Sequence, residues 1–575
     1  MTGAEILVDA LKKEGVKVIF GYPGGAVIPI FDILYQTSEI KFILTRHEQG
    51  ATHAADGYAR ATGKVGVCLV TSGPGATNTI TGIATAKLDS VPIVVISGQV
   101  GTKVIGSDAF QETDMVGLTR PICKHNFLIQ KIEELASTIK EAFYIAKSGR
   151  PGPVAIDIPV DVTLDTLKNY QYPNSINLPG YKPVFKGNSL QIEKLARAIN
   201  KAEKPLLYTG GGIISSEAHQ ELLALLEKTN IPIVTSLMGL GSVPKEHRLF
   251  LGMPGMHGVV AANYALKECD LLIAIGTRFD DRITSDPKKF AKKAKIAHVD
   301  IDPAEIGKNV RVDIPIVGDA KNIIKELLSR VKNRSPNQWN KQTEEWKKKY
   351  RLKYHQSPDG QILPQYVIDR INHLVEDDAI LITDVGQHQM WAALIYDQRR
   401  PRSFLTSGGL GTMGYGLPAA IGASVAFPER MVVVISGDGS IQMNIQELAT
   451  CAVNKIPVKI VVLNNSYLGM VRQWQEMFWE GKYSSTCLKK GPDCPPHCTG
   501  PDKNCPHIYR PDLVKVAEAN GLKGLRATKP SEVDDVLKEG FKTEGGVLME
   551  FLVKELENVY PMIPPGKSVD ELIMR

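Results

Sequence analysis

The stretch Gly437-Asp438-Gly439, separated by 24 residues from Asn464-Asn465, decides the fold of this 575-residue chain. Apolar runs that predict strands, Met431–Ile435 and Lys459–Leu463, come directly before the two groups. Because neighbouring strands of an open parallel sheet end on one edge, Asp438 and Asn465 are expected to direct oxygen ligands toward one point. The glycines let the backbone approach a phosphate closely. This pattern predicts a Mg²⁺ ion that bridges a diphosphate and takes a backbone carbonyl as a further ligand.

Strand-like runs alternate with helical patterns along nearly the whole chain, in three sets. The first set is Phe42–Leu44, Val65–Val70, Ile93–Ser97 and Val154–Ile158, the second is Pro205–Tyr208, Pro232–Thr235, Leu271–Ile275 and Ala297–Ile301, and the third adds Ala379–Thr383 to the two runs above. Near-continuous apolar strands that alternate with helices indicate parallel sheets covered on both faces. We therefore predict an α/β protein with three doubly wound parallel-sheet domains.

Two polar segments separate these sets. Residues 166–189 carry three prolines and little periodicity, and residues 331–361 are strongly charged, so both are interpreted as linkers. The predicted domains are residues 1–165, 190–330 and 362–555, followed by a C-terminal tail at 556–575.

Composition excludes several function classes. A formal net charge of +6 is small for this length, and the one basic run noted, at Lys347, lies beside two glutamates, so a solvated helix face is favoured over nucleic-acid binding. No apolar run is long enough to cross a bilayer. Thr2 and Glu5 predict a capped helix to about Lys13 rather than a targeting leader, and hence a cytoplasmic protein with reduced thiols. Four scattered cysteines are interpreted as core residues: Cys68, Cys123, Cys269 and Cys451.

The other four cysteines crowd into residues 487–505. Cys487, Cys494, Cys498 and Cys505 have 6, 3 and 6 residues between them, with His497 and His507 nearby. Such a group can bind Zn²⁺ or an iron–sulfur cluster, or form disulfides, and the spacing does not choose among them. We expect the insert to cap the mouth of the active site.

Several motifs carry a resemblance to a known family. An isolated Gly-Asp-Gly would be typical of a plain strand–turn–helix, but the spacing to Asn464-Asn465 is that of thiamine-diphosphate enzymes. The motifs Arg46-His47-Glu48-Gln49-Gly50, Ser72-Gly73-Pro74-Gly75, Gly386-Gln387-His388 and Gly469-Met470-Val471-Arg472-Gln473-Trp474 resemble those of the acetolactate synthases within that class. The resemblance spans residues 1–567 and implies pyrimidine-binding, central FAD-binding and diphosphate-binding domains.

The resemblance implies a role for each cofactor residue. Glu48 would hydrogen-bond N1′ of the aminopyrimidine, which favours the imino tautomer that takes the proton from C2 of the thiazolium. The Gly411 carbonyl would meet the pyrimidine amino group, and Met413 would force the cofactor into a bent form. The remaining thiamine contacts would be Pro74, Asn78, Val385, Gly386, Gln387, His388, Gly439, Ser440, Leu468 and Gly469, with Asp438, Asn465 and Tyr467 as the metal ligands.

The same resemblance implies the substrates and a flavin. Phe110, Gln111, Met470 and Trp474 would line a pocket for pyruvate and 2-ketobutyrate, where one extra methylene gives roughly 1 kcal/mol of discrimination. FAD would be structural, since carboligation transfers no electrons. Its contacts would be Arg150, Gly210, Gly211, Gly212, Met256, His257, Gly276, Arg278, Arg282, Asp300 and Asp319.

The implied reaction is decarboxylation of pyruvate and transfer of its two-carbon unit to a second 2-keto acid, in branched-chain amino acid biosynthesis. A related carboligase or a pyruvate oxidase is the enzymic alternative, and a cofactor-binding scaffold without activity is the alternative from another class. The family also implies a homodimer or tetramer with active sites between chains, and a small regulatory subunit.

Overall fold

The computed structural model describes residues 1–492, 494 and 509–574. In this part of the chain no helix has both the length and the apolar character needed to span a bilayer. The cellular compartment stays a prediction.

The first sheet is parallel and central to the N-terminal third of the chain, in the order β2-β1-β3-β4-β6-β5. Its strands are β1 (Val18–Tyr22), β2 (Lys41–Leu44), β3 (Gly66–Val70), β4 (Ile93–Gln99), β5 (His125–Leu128) and β6 (Val154–Pro159). The helices around it are α1 (Gly3–Lys13), α2 (Ile28–Tyr35), α3 (Glu48–Thr62), α4 (Pro74–Thr77), α5 (Ile80–Asp89), α6 (Met115–Thr119), α7 (Ile132–Lys147) and α8 (Val160–Leu164). The predicted capping box of Thr2 and Glu5 begins α1.

The second sheet is also parallel, in the order β11-β10-β9-β7-β8. Its strands are β7 (Pro205–Thr209), β8 (Ile233–Thr235), β9 (Leu271–Ile275), β10 (Lys295–Asp300) and β11 (Ile314–Val317). The helices of this region are α9 (Ser189–Lys201), α10 (Gly211–Ser215), α11 (His219–Thr229), α12 (Val260–Glu268), α13 (Asp281–Thr284), α14 (Ala320–Arg330) and α15 (Gln338–Lys349).

The third sheet is parallel in the order β13-β12-β14-β15-β17-β16. Its strands are β12 (Ile380–Thr383), β13 (Phe404–Leu405), β14 (Val432–Gly437), β15 (Lys459–Asn464), β16 (Lys523–Ala527) and β17 (Val547–Leu552). The helices are α16 (Pro364–Leu374), α17 (Gln387–Ile395), α18 (Gly416–Ala426), α19 (Asp438–Ile441), α20 (Glu447–Asn454), α21 (Gly469–Phe478), α22 (Leu513–Ala519) and α23 (Val533–Lys542). Numbered along its own chain segment, this sheet repeats the strand order of the first sheet.

The predicted fold class is confirmed, and the predicted strands are present with ends moved by no more than two residues. Met431–Ile435, for example, is Val432–Gly437 in the structure. The second predicted linker differs, because α15 lies in it and the Trp339 indole is buried, donating a hydrogen bond to the Pro205 carbonyl at 2.9 Å. The domain bounds stay predictions. The four cysteines predicted to be core residues are buried, as expected.

Small residues bring the first and third domains into direct contact. A Cβ on Gly57 of α3 would lie 2.1 Å from the Ala419 carbonyl oxygen of α18, and one on Gly422 would lie 1.9 Å from the Ala54 carbonyl oxygen. Only glycine allows the two helix backbones to approach this closely. The two domains therefore share one apolar core across α3 and α18.

Candidate active site

Three neighbouring strands of the third sheet end at one edge, and each delivers a predicted cofactor residue. Asp438 follows β14, Asn465 follows β15, and Val385 lies two residues after β12. Burial raises the pKa of Asp438 to about 7, although backbone N–H groups of Asn465 and Gly439 donate to its carboxylate. A bound cation would favour the ionised form.

Hydrogen bonds connect these loops to one another. Ser440 Oγ donates to the Val385 carbonyl at 2.8 Å, and Asn465 Nδ2 donates to Gln387 Oε1 at 3.3 Å. A Cβ on Gly469 would lie 2.2 Å from Gln387 Oε1, so any other residue here would displace the Gln387 amide that Asn465 contacts. A cleft of about 60 Å³ lies between the loops, and it is lined by Gly386, His388, Met413, Tyr467 and Leu468 among others.

His388 gives a test of whether an anionic cofactor fits this cleft. Its ring occupies the space beside Gly386 and Gly437, where an added Cβ would lie 3.0 Å from it. Burial lowers the pKa of His388 to about 3, so the ring is neutral. Within the described residues, its buried Nε2 has no hydrogen-bond partner. An unpaired polar atom in such a place is costly unless a ligand completes it, so the cleft fits a hydrogen-bonding group.

Asp384 was missed by the sequence reasoning. Its buried carboxylate accepts hydrogen bonds from Val385 N–H at 2.9 Å and Gly414 N–H at 2.8 Å, which joins the two predicted cofactor turns. Burial raises the pKa of Asp384 to about 6. Its position in the sequence could have indicated a role, because this acid directly follows β12 and directly precedes the Val385-Gly386 turn.

A larger cleft of about 960 Å³ runs from the middle domain to the third domain. Of the residues predicted to contact a flavin, its lining includes Arg150, Gly211, Gly212, Met256, His257, Gly276, Arg278, Arg282, Asp300 and Asp319. Gly210 is not in the lining. A Cβ at this position would lie 2.6 Å from the Gly276 carbonyl oxygen, so glycine allows the loops after β7 and β9 to approach each other closely. The volume is at the upper end for ligand sites.

The predicted substrate residues of α21 lie in the same large cleft. Met470 and Trp474 line it beside Gly411 and Met413, and Met470 also borders the small cleft. The Arg282 guanidinium lies 5.8 Å from the Trp474 ring centroid, which is a cation–π geometry. Arg282, predicted from sequence as a flavin contact, therefore also touches the predicted substrate wall.

The predicted residues of the first domain form a separate cluster. Asn78 Nδ2 donates to Glu48 Oε2 at 3.0 Å, and Glu48 begins α3. A Cβ on Gly73, next to Pro74, would lie 2.8 Å from the Gln111 carbonyl oxygen, so the Gln111 loop stands against the same segment. Phe110 is 88% exposed. None of these described residues lines either cleft, so the predicted pyrimidine contacts and the predicted diphosphate contacts do not border a common cleft within one chain.

Glu447 of the third domain contacts the segment just before Glu48, and it was also missed by the sequence reasoning. Its carboxylate accepts hydrogen bonds from Arg46 N–H at 3.0 and 3.2 Å, just before Glu48. Burial raises the pKa of Glu447. The residue lies in the shared core region of the first and third domains, and no local motif marks a partner 401 positions away.

The cysteine-rich insert begins directly beside the Asn465 loop. Cys487 pairs with Tyr467 as an isolated antiparallel bridge, and Gly491 N–H donates to Cys494 Sγ at 3.4 Å. Cys498 and Cys505 lie outside the described residues, and so do His497 and His507. Among the residues that are described, no group of three or more His, Cys, Asp or Glu is placed to hold a metal ion. The metal and disulfide hypotheses for the insert stay predictions.

Comparison with known proteins gives three family matches along the chain. Residues 1–118 match the N-terminal TPP binding domain of thiamine pyrophosphate enzymes, residues 192–327 match their central domain, and residues 384–551 match their C-terminal TPP binding domain. The two TPP binding matches fall on the two sheets of equal strand order, where they include β1 to β4 of the first sheet and β13 to β17 of the third.

Whole-chain relatives share about half of the residues. The acetolactate synthase large subunit of Mycobacterium tuberculosis is 48% identical over 580 residues, which cover 100% of this chain and 91% of the relative. The probable acetolactate synthase large subunit of Methanocaldococcus jannaschii is 50% identical over 588 residues, covering 100% and 95%. Acetolactate synthase isozyme 3 large subunit of Escherichia coli K12 is 46% identical over 583 residues, covering 100% and 98%.

Proposed function

We propose, from the premise that this chain belongs to the acetolactate synthase large-subunit family of thiamine-diphosphate enzymes, that it joins two 2-keto acids with loss of CO₂. Pyruvate would lose its carboxylate as CO₂, and its remaining two-carbon unit would form a carbon–carbon bond to the keto carbon of a second pyruvate or of 2-ketobutyrate. The single observation that carries the proposal is the meeting of the Asp438 and Asn465 loops at one sheet edge, beside the Val385 turn.

The residues of the small cleft fit a Mg²⁺–diphosphate group. Asp438 supplies a carboxylate, Asn465 an amide oxygen and Tyr467 a backbone carbonyl, which are the hard oxygen ligands that Mg²⁺ prefers. Phosphate oxygens would complete the coordination. The unpaired Nε2 of His388 would hydrogen-bond the diphosphate. Thiamine diphosphate itself supplies a nucleophilic carbon and an electron sink.

Glu48 would act on the aminopyrimidine of a cofactor held by a second copy of the chain. The support is that Glu48 and Asn78 lie outside the clefts that the third domain borders, so the predicted pyrimidine and diphosphate contacts do not border a common cleft within one chain. Its carboxylate would hold the proton at N1′ and so favour the imino form of the exocyclic nitrogen, which can accept a proton. A homo-oligomer follows from this arrangement.

Substrate selection would depend on α21 and the facing Arg282. Keto acids carry a carboxylate, and Arg282 brings a cation against Trp474 inside the large cleft. Guanidinium is well suited to bind a carboxylate. The indole of Trp474 and the thioether of Met470 would contact the methyl or ethyl group of the acceptor.

The middle domain would hold FAD as a structural group. The support is the volume of the large cleft, the glycine loops at the ends of β7 and β9, and a buried acid, Asp300, at the end of β10. Burial raises the pKa of Asp300 to about 6, and a hydrogen bond to a ribose hydroxyl would suit this carboxyl in either protonation state. A small regulatory subunit is proposed on family grounds alone.

The test is an assay of purified protein with thiamine diphosphate and Mg²⁺. We expect acetolactate from pyruvate alone, acetohydroxybutyrate when 2-ketobutyrate competes, and flavin absorbance in the preparation. Consumption of O₂, or reduction of an acceptor in step with CO₂ release, would favour a pyruvate oxidase instead. Cofactor binding without any product or CO₂ release would favour a scaffold.

A further inference from the structure

The buried carboxylate of Asp89 lies against a turn of the third domain. Asp89 ends α5, and its side chain is fully buried. Its two oxygens accept hydrogen bonds from Gly408 N–H at 3.0 Å and Gly409 N–H at 2.6 Å, more than 300 positions along the chain. Two successive backbone donors on one carboxylate fix the path of the turn, because both bonds are lost if the turn rotates.

Thr85, one turn earlier on α5, holds the other end of the same turn. Its hydroxyl lies 2.7 Å from the Thr412 hydroxyl, and Thr412 N–H donates to Ser407 Oγ at 3.1 Å. A Cβ on Gly409 would lie 2.8 Å from both Asp89 Oδ1 and Leu88 Cβ. One face of α5 therefore contacts the turn, residues 407–412, at positions 408, 409 and 412.

Arg60 completes the arrangement from α3. Its guanidinium bonds Asp89 at 2.8 Å and Asp56 at 2.6 Å, and it donates to the Thr406 carbonyl at 2.9 Å. Asp56 accepts from Tyr415 but bonds no residue of the turn. The two acids thus share one buried cation, and only Asp89 reaches the turn.

We propose that Asp89, supported by Arg60 and Thr85, is a positioning residue that fixes the turn at residues 407–412 for cofactor binding. The turn carries Gly411, whose carbonyl is predicted to meet the aminopyrimidine, and it leads into Met413. The expected effect on cofactor binding rests on the proposed function, because it requires that the turn contacts thiamine diphosphate. The contacts of Asp89 and Thr85 with the turn are present in the chain without a cofactor.

The main experiment compares Asp89→Asn with Asp56→Asn by hydrogen exchange of the cofactor-free protein and by calorimetric titration with thiamine diphosphate and Mg²⁺. Both variants remove one negative charge beside Arg60, and both side chains are fully buried, so the variants are matched in charge and burial. We expect Asp89→Asn to raise amide exchange at Gly408 and Gly409 at least about tenfold and to weaken cofactor binding about tenfold, as loss of one charge-assisted hydrogen bond would. Asp56→Asn should raise exchange evenly and leave these two amides no faster than their neighbours. Equal results for the two variants would overturn the proposal.

A second pair covers the case in which a buried-charge variant does not fold. Thr85→Val removes the hydroxyl that meets Thr412 and keeps the side-chain shape, and Thr81→Val makes the same change at an exposed site on α5. Faster exchange at Thr412 in Thr85→Val alone supports the proposal, and identical exchange in both variants refutes it. If the unsubstituted protein binds no thiamine diphosphate, the proposed function fails. The exchange results still test whether Asp89 and Thr85 fix the conformation of the turn.

Discussion

Replacement of Glu48 by glutamine separates catalysis from folding. The Glu48 carboxylate accepts a hydrogen bond from Asn78 at 3.0 Å, and a glutamine amide oxygen can accept the same bond. The lost charge stands in the first turn of α3, where an acid contributes about 0.3–1 kcal/mol to helix stability. The expected loss of folding free energy is therefore about 1 kcal/mol, small against the 5–15 kcal/mol typical of a domain.

Turnover should fall far more than stability. A glutamine cannot hold the proton at N1′, and removal of one acid–base group typically lowers the rate about 100- to 10,000-fold. Even the lower figure corresponds to about 2.7 kcal/mol in the activation barrier. The assay is acetolactate formation at saturating pyruvate, thiamine diphosphate and Mg²⁺, with the free energy of unfolding measured by denaturant titration.

The matched control is Glu5→Gln, another glutamate in the first turn of a helix of the same domain. It should lose similar stability and keep its turnover. A Glu48→Gln enzyme with kcat within about tenfold of the unsubstituted protein would refute the assigned role. A loss of turnover matched by a loss of folded protein would refute it as well.

Three further predictions test other parts of the molecule. Trp474→Leu should lower the preference for 2-ketobutyrate over pyruvate about fivefold in a competition assay, since about one methylene of contact is lost. Gly469→Ala should weaken Mg²⁺ binding at least about tenfold by titration, because the new Cβ would lie 2.2 Å from Gln387 Oε1 and 2.6 Å from Asn465 Nδ2. Burial raises the pKa of Asp157 from 3.8 to about 7, so its stabilising contribution is full below about pH 4 and is lost as the pH rises through 7. Asp157→Asn should therefore gain about 3 kcal/mol relative to the unsubstituted protein between pH 5 and pH 8, measured by denaturant titration.

Each of these variants has a control on the same chain. Trp479→Leu changes an exposed tryptophan directly after α21, and Gly545→Ala adds a Cβ that meets nothing within 4 Å. Asp32→Asn changes an exposed acid on α2. An unchanged product ratio in Trp474→Leu would contradict the first prediction, and an unchanged Mg²⁺ affinity in Gly469→Ala would contradict the second. The third would be contradicted if Asp157→Asn showed the same pH dependence of stability as Asp32→Asn.

Local patterns located several strands that are buried on both faces, although the buried β17, Val547–Leu552, was not among the predicted runs. Runs such as Leu271–Ile275 are apolar throughout, so sequence alone located them. Edge strands were harder, because β5 and β16 are half-exposed and carry His125, Lys523 and Arg526. Their hydrogen bonds to a neighbouring strand, rather than their composition, define them.

Site residues divide in the same way. Asp438 and Asn465 follow strands, and the parallel-sheet rule was enough to bring them together. Asp89 and Glu447 lie in or at the end of helices and meet partners more than 300 positions away. Nothing within a few residues of either acid indicates such a partner.

The sequence by itself determined the three α/β layers, the strand ends at which Asp438 and Asn465 lie, and the family, because these depend on periodicity and on short motifs with fixed spacing. Only the tertiary structure decided that Glu48 lines neither of the clefts that the third domain borders, and that α5 contacts the turn of the third domain. The reason is physical: backbone approach through Gly57 and Gly422 sets how α3 and α18 pack, and that packing places every contact between the two domains.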